Sequence, residues 1–138
     1  MKSLTTLGAL FAAGMMFAAP AAQAGDAAAG EKIFKRCTSC HSTEAGKHRI
    51  GPSLHDVVGN PAGSADGYTY SKLFQSAADA GLSWTPENLT GYLMDPTSFL
   101  TEYVTANGGA PKGRSKMAFR LRKEDQISDV ISYLETVK

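Results

Sequence analysis

The sequence predicts an all-α chain of short helices and long loops, and three observations predict it. Ile127, Val130, Ile131 and Leu134 fall at i, i+3, i+4 and i+7, the stripe of a helix laid against a core. Thr85-Pro86 offers a capping hydroxyl followed by proline at the first helical position, a strong helix start. No window sustains the apolar-polar alternation of a strand.

Residues 1–24 read as a cleaved signal peptide ahead of a single domain over 25–138. Lys2 is the only charge before Asp26, Leu4 to Ala19 is largely apolar, and Ala22-Gln23-Ala24 is a small-x-small cleavage pattern. The apolar run, broken by Gly8 and Gly14, falls short of the roughly 20 residues a bilayer span needs. The expected compartment is the periplasm. The remaining length suits one core. The chain has 14 basic and 13 acidic side chains, and removing Lys2 balances them. A neutral chain gives no electrostatic basis for nucleic-acid binding. No further apolar run is long enough for a membrane, so a soluble monomer is expected.

Asp26 can cap a helix from Ala27 to Arg36 by accepting a first-turn amide proton. Ile33, Phe34 and Cys37 then share a face. Residues 43–67, rich in glycine and carrying Pro52 and Pro61, have no useful period and read as a loop that wraps something. Ser71 opens a short helix ending near Gly81. From Thr85-Pro86 the next helix sets Leu89, Tyr92 and Leu93 on one face and stops before Pro96. Thr97 begins another, which Asn107-Gly108 ends, and the last carries the Ile127–Leu134 stripe. Two loops of this length are uncommon without a function. Their apolar content is too thin to fill a core, so a large apolar cofactor is expected at the centre.

"CTSCHS", residues 37–42, contains the only two cysteines. A disulfide across three positions closes a tiny loop for little entropic gain, even in an oxidising compartment. A redox dithiol usually follows a strand of a βαβ unit, and none is visible. Zinc commonly takes two such pairs. Only one exists, and His48 and His55 have the wrong spacing. C-x-x-C-H is the haem attachment motif. On a helix, Cys37, Cys40 and His41 share a face. The two thiols can add to the vinyl groups on one porphyrin edge, and His41 can offer nitrogen to iron. One covalent haem c is expected.

An electron carrier with low-spin iron also needs a sixth ligand, usually Met or His. Met1, Met15 and Met16 leave with the signal peptide, so Met94 and Met117 remain. Met94 sits in a helix, where packing explains it. Met117 lies in the polar, basic loop "PKGRSKMAF", after Pro111 and Gly113, where burial for packing alone is a poor explanation. Met117 is therefore the expected ligand. His48 and His55 lie too near the attachment site, on the His41 side.

The ordered segments "GEKIFKRCTSCH", "GKHRIGPSLH", "GYTYS", "LSWTPENLTGYLMDP", "SKMAF" and "DVISYLE" resemble those of the class I cytochromes c. The likeness runs over nearly all of 25–138 and extends to both the mitochondrial and the bacterial periplasmic c2 types. The resemblance implies that Gly30 and Phe34 cross Val130 and Tyr133, and that the Pro52 carbonyl accepts the His41 ring proton. It puts the Tyr92 hydroxyl near the Met117 sulfur. It puts Tyr70, Trp84 and Ser115 on a haem propionate, with Tyr68 beside them. His48 resembles a loop-tying histidine, and His55 is expected at the surface. Asn60 departs from the family, which often has arginine there, so a buried propionate loses a charged partner unless Lys72 supplies one.

The implied function is one-electron transfer with both axial sites of the iron filled, not catalysis. The expected donor is a quinol-oxidising cytochrome complex. The acceptor would be a terminal oxidase, a photosynthetic reaction centre or a nitrogen-oxide reductase. A haem peroxidase would need an open iron face. A haem-based ligand sensor would need a weak sixth ligand and an output domain.

Overall fold

The computed structural model describes residues 24–138, so the expected leader falls, but for Ala24, outside the described residues. Five helices follow one another: α1 (Ala27–Phe34), α2 (Lys72–Asp79), α3 (Pro86–Met94), α4 (Pro96–Ala106) and α5 (Glu124–Glu135). No strand forms among the described residues beyond an isolated bridge between Pro61 and Ser83. The architecture is the all-α one that the sequence predicts.

The local signals act as expected at most helix starts. Asp26 Oδ1 accepts the Ala28 and Ala29 amides at 2.8 and 3.2 Å. The Ser71 hydroxyl accepts the Phe74 amide at 3.2 Å and the Thr85 hydroxyl the Asn88 amide at 3.2 Å. α5 has no side-chain cap, and Glu124 and Asp125 instead put negative charge beside its first-turn amides.

Two boundaries differ from the expectation. α1 ends at Phe34 rather than Arg36. Beyond it the amides of Arg36 and Cys37 reach back only three residues, to Ile33 and Phe34 at 3.0 and 2.7 Å. The attachment segment is thus a series of tight turns rather than helix. The Cys37 carbonyl accepts from both Cys40 and His41, at 3.1 and 2.9 Å, so the segment still folds back on itself. The second difference is at α4, which Asp95 opens rather than Thr97: its Oδ1 accepts the Ser98 amide at 3.1 Å, and Pro96 takes the first helical position. A carboxylate ahead of proline competes better for the orphan amides than a hydroxyl two residues further on.

The core forms where α1 crosses α5. Gly30 makes the crossing possible: a Cβ there would stand 1.9 Å from the Asp129 carbonyl oxygen. Phe34 and Tyr133 then meet with ring centroids 5.1 Å apart. Leu73, Leu100 and Ile127 are fully buried and join α2, α4 and α5 into the same core. The long stretches between α1 and α2 and between α4 and α5 cover the opposite side and leave a cavity beneath them.

Candidate haem site

That cavity holds about 650 Å³, within the roughly 300–1,000 Å³ usual for ligand and cofactor sites. Its lining includes all ten residues that the sequence singles out for the site: Cys37, Cys40, His41, Pro52, Tyr68, Tyr70, Trp84, Tyr92, Ser115 and Met117. They come from both loops, from α3 (Tyr92) and from the turn between α2 and α3 (Trp84), so no single element could have assembled them.

Cys37 and Cys40 both line the wall, and no disulfide joins them. His41 is the best-positioned group in the site. Its Nδ1 lies 2.7 Å from the Pro52 carbonyl oxygen, so Nδ1–H is the donor and Nε2 is the nitrogen left with a lone pair. Burial lowers the His41 pKa, the Pro52 bond opposing it, and so favours the neutral imidazole. That is the form a metal can use.

Gly51 is the residue that the sequence reading missed. A Cβ at this position would fall 2.4 Å from His41 Cε1 and 2.8 Å from Nδ1. The imidazole lies on the bare Gly51 backbone, whose amide donates to the Cys40 carbonyl at 2.7 Å. A glycine directly before Pro52 was the available signal, but nothing local shows that a ring rests on it.

Met117 lines the same cavity and Met94 does not; Met94 lies in a separate recess with Asp95, Arg120 and Arg122. The Ser115 hydroxyl accepts the Met117 amide at 3.1 Å. Tyr92, half-buried, has its hydroxyl oxygen 3.4 Å from the Ser115 oxygen, one link from the methionine. Burial raises the Tyr92 pKa, so the phenol stays protonated. Phe74 connects the aromatic wall, stacked on Tyr70 at 4.4 Å and tilted against Trp84 at 5.9 Å.

Other singled-out side chains have partners within the protein. Tyr68 stands beside Tyr70 with centroids 4.8 Å apart, but its hydroxyl donates to the Ile50 carbonyl at 2.8 Å, tying the cavity rim. Tyr70 oxygen accepts the Ala65 amide at 3.3 Å. His48 ties its loop as anticipated: Nε2 lies 2.7 Å from the Asp66 carbonyl oxygen, and Nδ1 accepts the Ser53 amide at 3.0 Å. His55, expected at the surface, is half-buried in the cavity wall with Nδ1 3.3 Å from the Thr43 carbonyl oxygen. Asn60 lines the cavity, yet its amide donates to the Asp56 carbonyl. Lys72 is exposed on α2 and does not line the cavity.

The donor set fits a covalently attached haem. Two thiols and a neutral imidazole come from one turn, an aromatic wall stands alongside, and a thioether comes from a distant loop. No group of three or more His, Cys, Asp or Glu that could hold a bare metal ion occurs among the described residues, which disfavours the zinc reading.

Comparison with known proteins agrees with the geometry. The family model for cytochrome c matches residues 27–138. A cytochrome c2 of Rhodopseudomonas palustris is 43% identical over 139 residues, covering 99% of both chains. A cytochrome c2 of Rhodospirillum rubrum is 44% identical over 128 residues, covering 91% of this chain and 92% of the relative. Among solved structures, cytochrome c2 from Rhodospirillum centenum superposes with a TM-score of 0.79 at 42% identity, covering 82% of this chain and 98% of that one.

Proposed function

The chain belongs to the cytochrome c family, and on that premise we propose that it is a periplasmic one-electron carrier whose iron is held between His41 and Met117. It carries one covalent haem c through Cys37 and Cys40, and it is an electron carrier rather than an enzyme. The haem supplies an iron centre that takes up and gives back one electron. The rest is the work of the chain. Pro52 fixes the His41 tautomer and orientation, and Gly51 gives the ring its seat. The loop after Gly113 delivers Met117 from the other side. Phe74, Trp84 and Leu89 keep water from the inner wall, and a low-dielectric wall penalises the extra positive charge of the oxidised centre. Thioether ligation acts in the same direction. Tyr70, Trp84 and Ser115 are the proposed propionate partners, with Tyr68 at the rim.

One observation carries the ligand assignment: of Met94 and Met117, only Met117 lines the cavity that His41 lines. An absorption spectrum of the reduced protein followed by a redox titration tests the function. A low-spin spectrum, a single one-electron step and no carbon monoxide binding at neutral pH are expected. A high-spin resting state or ready carbon monoxide binding would point to a peroxidase or ligand sensor. Acid-acetone should leave the haem on the chain, since both thioethers survive that treatment; free haem in the solvent would remove the covalent reading.

The periplasmic placement rests on the leader-like residues 1–24. Consistent with it, no helix among the described residues is long and apolar enough to cross a membrane. The proposed donor is a quinol-oxidising cytochrome complex. The proposed acceptor is a terminal oxidase, a reaction centre or a nitrogen-oxide reductase.

Docking is proposed to use the basic rim. Residues 110–123 carry six basic side chains, Lys112, Arg114, Lys116, Arg120, Arg122 and Lys123, and no acid. Arg36 and Lys116 line the cavity mouth, Arg36 over the Phe119 ring at 5.0 Å and Lys116 over Tyr68 at 5.6 Å. Not every rim charge is free: Lys47 pairs with Glu44 at 2.8 Å and Arg120 with Asp95 at 2.9 Å. Opposed charge patches speed encounter and are screened by salt. Lys116→Glu is therefore expected to slow the second-order rate with an acidic partner at low ionic strength and to leave the potential nearly unchanged. The gap from wild type should close as salt rises. A rate insensitive to both would place docking on another face.

A further inference from the structure

The segment that carries Met117 is held from both ends by one short stretch of chain, the junction between α3 and α4. Before the methionine, the Ser115 amide donates to the Thr97 hydroxyl at 3.1 Å. After it, Arg120 Nη2 meets Asp95 Oδ2 at 2.9 Å, and the Leu121 amide donates to the Leu93 carbonyl at 2.8 Å. Three alternate residues, Leu93, Asp95 and Thr97, thus grip positions 121, 120 and 115. Asp95 does two jobs with separate oxygens: Oδ1 caps α4 at the Ser98 amide and Oδ2 takes Arg120. The Ser98 amide, and then the Arg120 charge, hold the Asp95 carboxyl below its ordinary range. Ser115 and Leu121 are buried, so releasing their amides would leave donors unsatisfied.

We propose that Asp95 and Thr97 are positioning residues for Met117, and that the junction sets how often the thioether leaves its place and admits another ligand. A loop attached at one end could swing its methionine away at little cost. Gripped at both, it must break the Thr97 bond or the Asp95 pair to open. Neither side chain lines the cavity, so each acts only through the loop. The proposal rests on Met117 being the sixth ligand.

The test is the affinity of the ferric protein for added imidazole, which binds only when the sixth position opens. Thr97→Val removes the acceptor with little change of shape. It should raise imidazole affinity roughly tenfold, the factor for a lost hydrogen bond to a buried amide. Asp95→Asn keeps a capping side chain but loses the charge. It should raise affinity about threefold, since a partly exposed pair is worth under about 1 kcal/mol. Thr85→Ala, which strips the cap at the far end of α3, controls for loss of stability alone and should leave affinity at the wild-type value. Affinities within twofold of wild type for both junction variants overturn the proposal, as does an equal rise in Thr85→Ala. A wild-type ferric protein without a sulfur-to-iron band would instead overturn the Met117 assignment and leave the ion pair and hydrogen bonds as loop anchors only.

Discussion

Met117→Ala is expected to abolish the weak far-red sulfur-to-iron band of the ferric protein. It should also lower the reduction potential by on the order of 0.1 V or more, within the roughly 0.8 V that axial ligands span. The sign follows from the chemistry of the donor. A neutral, polarizable thioether favours the ferrous state, so removing it favours the ferric one. Alanine also opens space between Ser115 and Phe119 for water, which stabilises the more positive centre again. Both effects lower the potential. Met94→Ala should keep band and potential, because Met94 packs beside Asp95, Arg120 and Arg122 outside the main cavity. Absorption and a redox titration decide the matter. Loss of the band in Met94→Ala, with Met117→Ala unaffected, would mean that the wrong methionine was assigned.

Gly30→Ala is the substitution expected to cost most stability. Helix propensity alone predicts the opposite sign, since alanine inside a helix is favoured over glycine by about 0.5–1 kcal/mol. The crossing of α1 on α5 decides against propensity. The new Cβ would stand 1.9 Å from the Asp129 carbonyl oxygen, 2.5 Å from its carbon and 2.9 Å from Tyr133 Cβ. Two of those atoms are backbone, so no rotamer change relieves the contact and the helices must part. Parting them strips the Phe34–Tyr133 ring contact and the bond from the Asp26 amide to Asp129 Oδ1 at 2.7 Å. Overpacking of this kind costs about 1–3 kcal/mol, and the lost contacts add to it. A net loss near 3 kcal/mol lowers the melting temperature by roughly 10 °C or more in a domain of this size. Thermal unfolding of the haem-loaded protein measures it, and a variant melting at or above wild type would show that the crossing has slack.

Most of the attachment site was legible in the sequence because its chemistry is local. Cys37, Cys40 and His41 lie within five residues, and their identities and spacing are the signal wherever the turn falls. Helix starts were legible for the same reason at Asp26, Ser71 and Thr85, where a side chain caps amides two or three residues away. The end of α1 and the start of α4 were misplaced because two local signals competed. The attachment turns overrode the continuing period at Arg36, and Asp95 outbid Thr97 for the cap.

Taken alone, the sequence determined that this is an all-α chain, that one turn carries two thiols and an imidazole, and that the helices alone leave the core unfilled. Only the tertiary structure decided how the distant groups around the cavity are held. It set the His41 ring on Gly51, brought His55 into the wall, gave the Tyr92 hydroxyl to Ser115, and fastened the Met117 loop to Leu93, Asp95 and Thr97. The physical reason is range. Caps, turns and attachment chemistry act over a few residues and leave a mark in their order. Contacts such as Ser115 to Thr97 are made between segments that meet only once the loops have closed over the cavity, and no periodicity along the chain encodes that meeting.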